Sequence, residues 1–180
     1  ITDGNGKFST TLTINDPQFY GIKTITAAGQ TSGRMDIDWF KITPRVYLIS
    51  PSRGTIGTPI IIKGDGWEPS LDYPNPYPGT VWIEVDFGGH VWRGVDPDTG
   101  ISPRTSALGT FTAVIDDAEP QPGGSISVTV LEADNPSLMV KVPFYIEGEI
   151  TNIEPSMGTV GCQVTVEGRG YGNLEGVRID

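Results

Sequence analysis

The chain has 180 residues and carries 12 basic against 22 acidic side chains, a net charge of −10. Such a surface repels nucleic acid and anionic lipid, so neither is expected as a partner, and it attracts divalent cations. A single cysteine, Cys162, rules out an intrachain disulfide, and no apolar run approaches the ~20 residues of a membrane helix.

The first feature along the chain is Asp3-Gly4-Asn5-Gly6. It resembles half of a calcium loop, with Asp3 and Asn5 supplying oxygens at alternate positions and glycine allowing the bend. The downstream bidentate Glu of such a loop is missing. Three short apolar segments follow, "GKFSTTLTI" at 6–14, "GIKTITAAG" at 21–29 and "WFKITP" at 39–44. Pro44 restricts the linker at 43–46. Strands are expected at 47–50 and 58–63. The segment 67–82, "WEPSLDYPNPYPGTVW", places Trp67, Tyr73, Tyr77 and Trp82 among four prolines. Prolines stiffen such a loop and lower the entropic cost of presenting aromatic rings. Val81, Ile83, Val85 and Phe87 then alternate with Trp82, Glu84 and Asp86, so Trp82 is expected to face away from the core.

Beyond the only histidine, His90, and Trp92 come the oxygen clusters Asp96 with Asp98 and Asp116-Asp117 with Glu119. The segments 109–115, 124–132 and 143–148 return to period two. The last expected strand is 163–167, followed by "GVRID" at 176–180. Turn signals recur about every ten residues and no helical stripe appears, which reads as an all-β chain of sandwich type. The 24 glycines and 15 prolines fall between the apolar runs, so they read as turns rather than disorder.

The chain repeats itself. "ISPSRGTIGTPIIIKGDGW" at 49–67 returns 104 residues later as "IEPSMGTVGCQVTVEGRGY" at 153–171. Pro51, Gly54, Gly57, Gly64 and Gly66 fall on Pro155, Gly158, Gly161, Gly168 and Gly170. The other half repeats too: 6–14 matches 109–115, 21–29 matches 124–132, and 39–44 matches 143–148. "GVRID" fits "WIEVD" at 82–86 once an insertion at 70–79 is set aside. A period near one hundred residues is a sandwich domain rather than a solenoid unit. Residues 1–45 are therefore expected to be the C-terminal half of one repeat, 46–148 a complete repeat, and 149–180 the N-terminal half of another. The chain opens on Ile1, which suggests processing or a slice of something longer. Either the half repeats complete each other, within a chain or between successive chains, or the sequence is a window on a longer tandem array.

The strings "PSRGTIGTPIIIKGDGW" and "PSMGTVGCQVTVEGRGY" resemble the opening of IPT/TIG-type immunoglobulin-like repeats. The segment "DGNGKFSTTLTI" with "YGIKTITAAGQTSG" looks like the back half of related repeats in prokaryotic surface and S-layer proteins. Cys162 stands where the pattern favours Thr. The resemblance implies immunoglobulin-like β-sandwich repeats outside the cell, in a surface layer, stalk or filament, with neighbouring copies or adjacent repeats as partners.

No enzyme is expected. One histidine builds no triad, and the Asp-Thr-Gly at 98–100 has no second copy to share a proton. "GDGW" and "GRGYGN" precede no helix and so make no phosphate cradle. Two ligand classes are entertained. Calcium would use Asp3, Asn5, Asp96, Asp98, Asp116 and Asp117. A glycan or protein contact would use Trp67, Tyr73, Tyr77, Trp82 and Trp92, making the chain an adhesion or carbohydrate-binding module. Against these stand plain turns, and a Trp67 that fills the end of the sandwich. An accessory domain of a secreted glycan-active enzyme is the third possibility.

Overall fold

A computed structural model gives an all-β protein. It describes residues 1–15, 17–71, 80–92, 102–115 and 121–179, with the backbone alone at His90 and Trp92. Among the described residues there are twelve strands, and no helix is long and apolar enough to cross a membrane. Strands β1 (Gly21–Ala28) and β2 (Met35–Ile42) pair antiparallel over their full length. They are followed by β3 (Arg45–Ser50), β4 (Arg53–Gly54), β5 (Ile60–Asp65), β6 (Ile83–Phe87) and β7 (His90–Trp92). Next come β8 (Phe111–Ile115), β9 (Gly124–Glu132), β10 (Met139–Ile146), β11 (Glu149–Glu154) and β12 (Thr165–Arg169).

Four sheets result. One has three strands in the order β3-β5-β8, and another has five in the order β4-β10-β9-β6-β7. The pairs β1-β2 and β11-β12 stand as separate two-stranded sheets. All ladders are antiparallel except that of β10 with the short β4.

The two larger sheets feed one apolar cluster. Period two makes β6 and β8 bury every second residue, Ile83, Val85 and Phe87 in one and Phe111, Ala113 and Ile115 in the other. Ile60 and Ile62 of β5, Val128 and Val130 of β9, and Phe144 and Ile146 of β10 complete it. Trp67 meets Phe111 edge to face at 5.6 Å between ring centroids, and Phe87 meets Phe144 at 5.4 Å. Burying each such side chain contributes about 1.5–3 kcal/mol, so the driving force for folding is concentrated between residues 46 and 146.

Three expected strands are shifted. Those at 47–50, 58–63 and 163–167 are found as β3, β5 and β12, two residues away at one or both ends. Thr58 N donates to Thr55 O at 3.0 Å, closing a turn with Gly57 at φ 83°, so Thr58 belongs to the turn and the ladder begins later. The same turn closes from Cys162 N to Thr159 O at 3.0 Å, so cysteine in place of threonine leaves it intact. Residues 6–14 and 176–179 form no strand. Their repeat counterparts, β8 and β6, pair with β5 and β9, and among the described residues no strand pairs with 6–14 or 176–179. An isolated segment has no ladder to hold it extended.

Candidate functional site: two matching repeat junctions

Two places in the chain lie at the boundaries expected between repeats. At the first, β2 passes into β3 through Thr43 and Pro44; at the second, β10 passes into β11 through Glu147 and Gly148. Two residues span at most about 7 Å, so neither linker leaves room for a wide hinge.

The junctions match in backbone. Gly66 and Gly170 hold φ of 74° and 72°, a left-handed conformation that glycine adopts without steric cost. A Cβ on Gly66 would lie 2.5 Å from Thr43 O, and one on Gly170 2.5 Å from Glu147 O. Each would also sit 3.4 Å from a Cγ2, of Ile42 in the first case and Ile146 in the second. Both isoleucines are buried, and Ile42 is the one buried residue of β2. A hydrogen bond links the halves across each junction, from Tyr20 N to Trp67 O at 2.9 Å and from Gly123 N to Tyr171 O at 2.7 Å. The register shifts between Val46 and Leu48 in the first copy and between Ile150 and Asn152 in the second. The Ser50–Pro51 and Glu154–Pro155 bonds are both cis.

Side chains match with one reversal. Arg45 holds Asp65 through two bonds, Nε to Oδ1 at 2.6 Å and Nη2 to Oδ2 at 2.8 Å. At the equivalent positions Glu149 accepts from Arg169 Nε. The ion pair is kept and its polarity inverted. Arg169 also donates from Nη2 to Ile56 O at 3.0 Å, and Arg53 approaches Glu147 at 3.5 Å, so the second junction is tied to the segment around β4.

Of the two readings of Trp67, an exposed contact or a core filling, the structure takes the second. Trp67 is fully buried against Phe111 and is therefore withdrawn from the set of exposed contact residues. Its backbone registers the junction and its ring fills the core. The reason lies in Gly64, where a Cβ would lie 2.7 Å from Trp67 Nε1; glycine opens the slot that the indole occupies. Trp82 is half-buried, bridges to Arg104, and lines a cleft of about 240 Å³ with Ile83, Glu84, Ser102, Ala133 and Asp134. That volume is below the roughly 300–1,000 Å³ of ordinary ligand pockets. Tyr73 and Tyr77 lie outside the described residues, and Trp92 is described only as a backbone partner of Val85.

Of the calcium candidates, Asp3 and Asn5 form a turn of their own. Asp3 Oδ1 accepts from Asn5 N at 2.9 Å and Lys7 N at 2.8 Å, with Gly6 at φ 76°. Asp96, Asp98, Asp116 and Asp117, with Glu119, lie outside the described residues. Among the described residues no group of three acidic, histidine or cysteine side chains is arranged to hold a metal ion.

Sequence reasoning missed a buried polar seam beneath the insertion. Glu132 ends β9 inside the core, and its Oε1 accepts from Glu68 N at 2.8 Å. Burial pushes its carboxyl up from 4.5 to about 7; the Glu68 amide opposes this, and the charges of Glu68 and Asp134 reinforce it. Ser70 Oγ, also buried, accepts from Val81 N at 2.9 Å and lies 3.1 Å from Thr105 Oγ1, which donates to Glu68 O at 2.7 Å. These bonds clamp both ends of the insertion. Nothing in the local pattern marks Glu132, whose counterpart in the first copy is Gly29.

Comparison with known proteins finds no matching family model, no curated relative and no solved structure.

Proposed function

We propose that the chain is a structural repeat module of an extracellular surface layer, stalk or filament, built from immunoglobulin-like sandwiches in tandem. The observation that carries this reading is the pair of junctions. Two successive hand-overs share the same positive-φ glycine, the same backbone hydrogen bond, the same register shift and an ion pair of inverted sign. A repeated, short and internally bonded junction suits a protein whose task is to hold domains at a fixed spacing. The shared core of the three- and five-stranded sheets and the resemblance to IPT/TIG-type repeats point the same way. The −10 charge suits a soluble, self-spacing surface that avoids nucleic acid.

The test is proteolytic shaving of intact source cells, followed by mass analysis of the released peptides and of the natural chain. Peptides from 46–148 in the supernatant of unbroken cells are the expected result. Their release only after lysis would overturn the extracellular reading.

A further inference from the structure

Glu132 puts a carboxyl where a carboxylate is costly, and we propose that its proton is a latch on residues 68–70. Neutral, the carboxyl holds this strap shut against the end of β9; ionised, it lets the strap open. The latch is independent of the surface-layer reading, because every group in it lies within 67–138.

The strap leads from Trp67, buried in the core, into the insertion. Its backbone is held on both sides. Glu68 N donates to Glu132 Oε1 at 2.8 Å, and Glu68 O accepts from Thr105 Oγ1 at 2.7 Å. Ser70 N donates to Ser106 O at 3.2 Å, and Ser70 Oγ accepts from Val81 N at 2.9 Å. The turn after β9 adds two ties. Ala133 N donates to Trp82 O at 3.0 Å, and Asn135 Nδ2 donates to Glu68 Oε1 at 3.4 Å. The end of β9 therefore grips the segment 67–82 near both of its ends. Thr105, Ser106 and Val81 offer the strap groups that do not titrate; Glu132 offers one that does.

Glu132 is 2% exposed. It pairs with Ile83, which places it on the face of β6 that also carries Val85 and Phe87. A carboxylate there loses its hydration. The charges acting on it are Glu68 on the strap and Asp134 in the turn, and both are negative. Glu84 and Arg104 stand on the opposite face: Glu84 follows Ile83 along β6, and Arg104 bridges to Trp82, which precedes it. Burial outweighs the help of the Glu68 amide, so the carboxyl lies at about 7 against an ordinary 4.5. Opening the strap returns water to the carboxyl and with it the ordinary value. The sign follows. Below 4.5 both forms keep the proton and the latch has its full strength. Above that the open form ionises first, and closure weakens until the closed form also ionises, at about 7.

Amide exchange on the intact chain tests the latch. Rates at Glu68, Ser70 and Val81 are taken at pH 6 and pH 8, each divided by the intrinsic rate of that amide at that pH. The corrected rates are expected to rise about tenfold, the factor set by a carboxyl that moves between 4.5 and about 7. They are also expected to exceed those of the β5-β8 ladder at both pH values. Glu132→Gln keeps an acceptor oxygen for Glu68 N and is expected to abolish the rise. Glu68→Gln removes one of the two negative neighbours, leaves the backbone donor in place and is expected to shrink it, which keeps the test open if Glu132→Gln does not fold. A rise undiminished in the folded variants would overturn the role of Glu132. Strap amides that exchange no faster than the ladder would overturn the latch, because the proton would then act on global unfolding alone.

Discussion

Residues 111–115 and residues 8–12 carry matching sequence, "FTAVI" and "FSTTL", and have different fates. The first is β8, paired to β5 and buried at every second position. The second forms no strand and exposes Phe8 and Leu12. The alternation is present in both, so the alternation alone does not make a strand. What separates them is the neighbour: 111–115 has β5 alongside and shares its core with the five-stranded sheet, and among the described residues no strand pairs with 8–12. A strand in this protein is a property of two segments. The apolar pattern states which face a segment would bury if the second segment were present.

The largest expected effect breaks the comparison at its centre. Phe111→Ala removes a ring from the core and is expected to cost about 3–5 kcal/mol, read by chemical denaturation with tryptophan fluorescence. Phe8→Ala, the same change in the uncovered copy, is expected to shift unfolding of dilute protein by less than about 0.5 kcal/mol. Equal effects in dilute solution would mean that residues 6–14 already pack within their own chain.

Glu132 sharpens the comparison, because the first copy has Gly29 in its place. The folded carboxyl titrates near 7, above the 4.5 of the unfolded chain. Between these values the unfolded state has lost its proton and the folded state has kept it, so stability falls as pH rises. The fall is on the order of 3 kcal/mol, complete slightly above neutrality. Glu132→Gln is expected to flatten this slope in denaturation curves taken from pH 4 to pH 8. An unchanged slope would place the proton elsewhere.

Next in size are the junction glycines. Gly66→Ala and Gly170→Ala each force a side chain into positive φ and against a carbonyl, at about 1–3 kcal/mol. Gly66→Ala should lower the midpoint of the main transition. Gly170→Ala should leave it alone and speed proteolysis near Gly148, because β11-β12 lies outside the main core. The smallest effect concerns the inverted ion pair. Arg45→Glu puts like charges face to face and is expected to cost about 1 kcal/mol, while Arg45→Glu with Asp65→Arg restores most of it. Failure of the double variant to recover would show that the two junctions are not electrostatically interchangeable.

Much of this was legible in the sequence. The repeated Pro-Ser-x-Gly-Thr-x-Gly string marked both copies of the turn, and Gly57 and Gly161 take φ of 83° and 90° as such a turn requires. The alternation at 81–87 placed Ile83, Val85 and Phe87 inward. Other features depend on contacts that composition does not encode. Trp67 has two readings in the sequence, an exposed ring of an aromatic platform or a filling for the core, and its burial in the slot left by Gly64 decides for the second. Glu132 ends an apolar strand with a charge, which reads as a surface residue until Glu68 N is found bonded to it. The inverted ion pair was hidden because Arg45 and Asp65 are twenty residues apart, and their repeat counterparts have exchanged sign.

The most direct measurement is amide hydrogen exchange of residues 8–12 against those of β8 across a range of protein concentration. If a strand here needs a neighbouring segment, 8–12 exchanges freely at every concentration while β8 stays protected. Protection of 8–12 equal to that of 111–115 in dilute protein would contradict it.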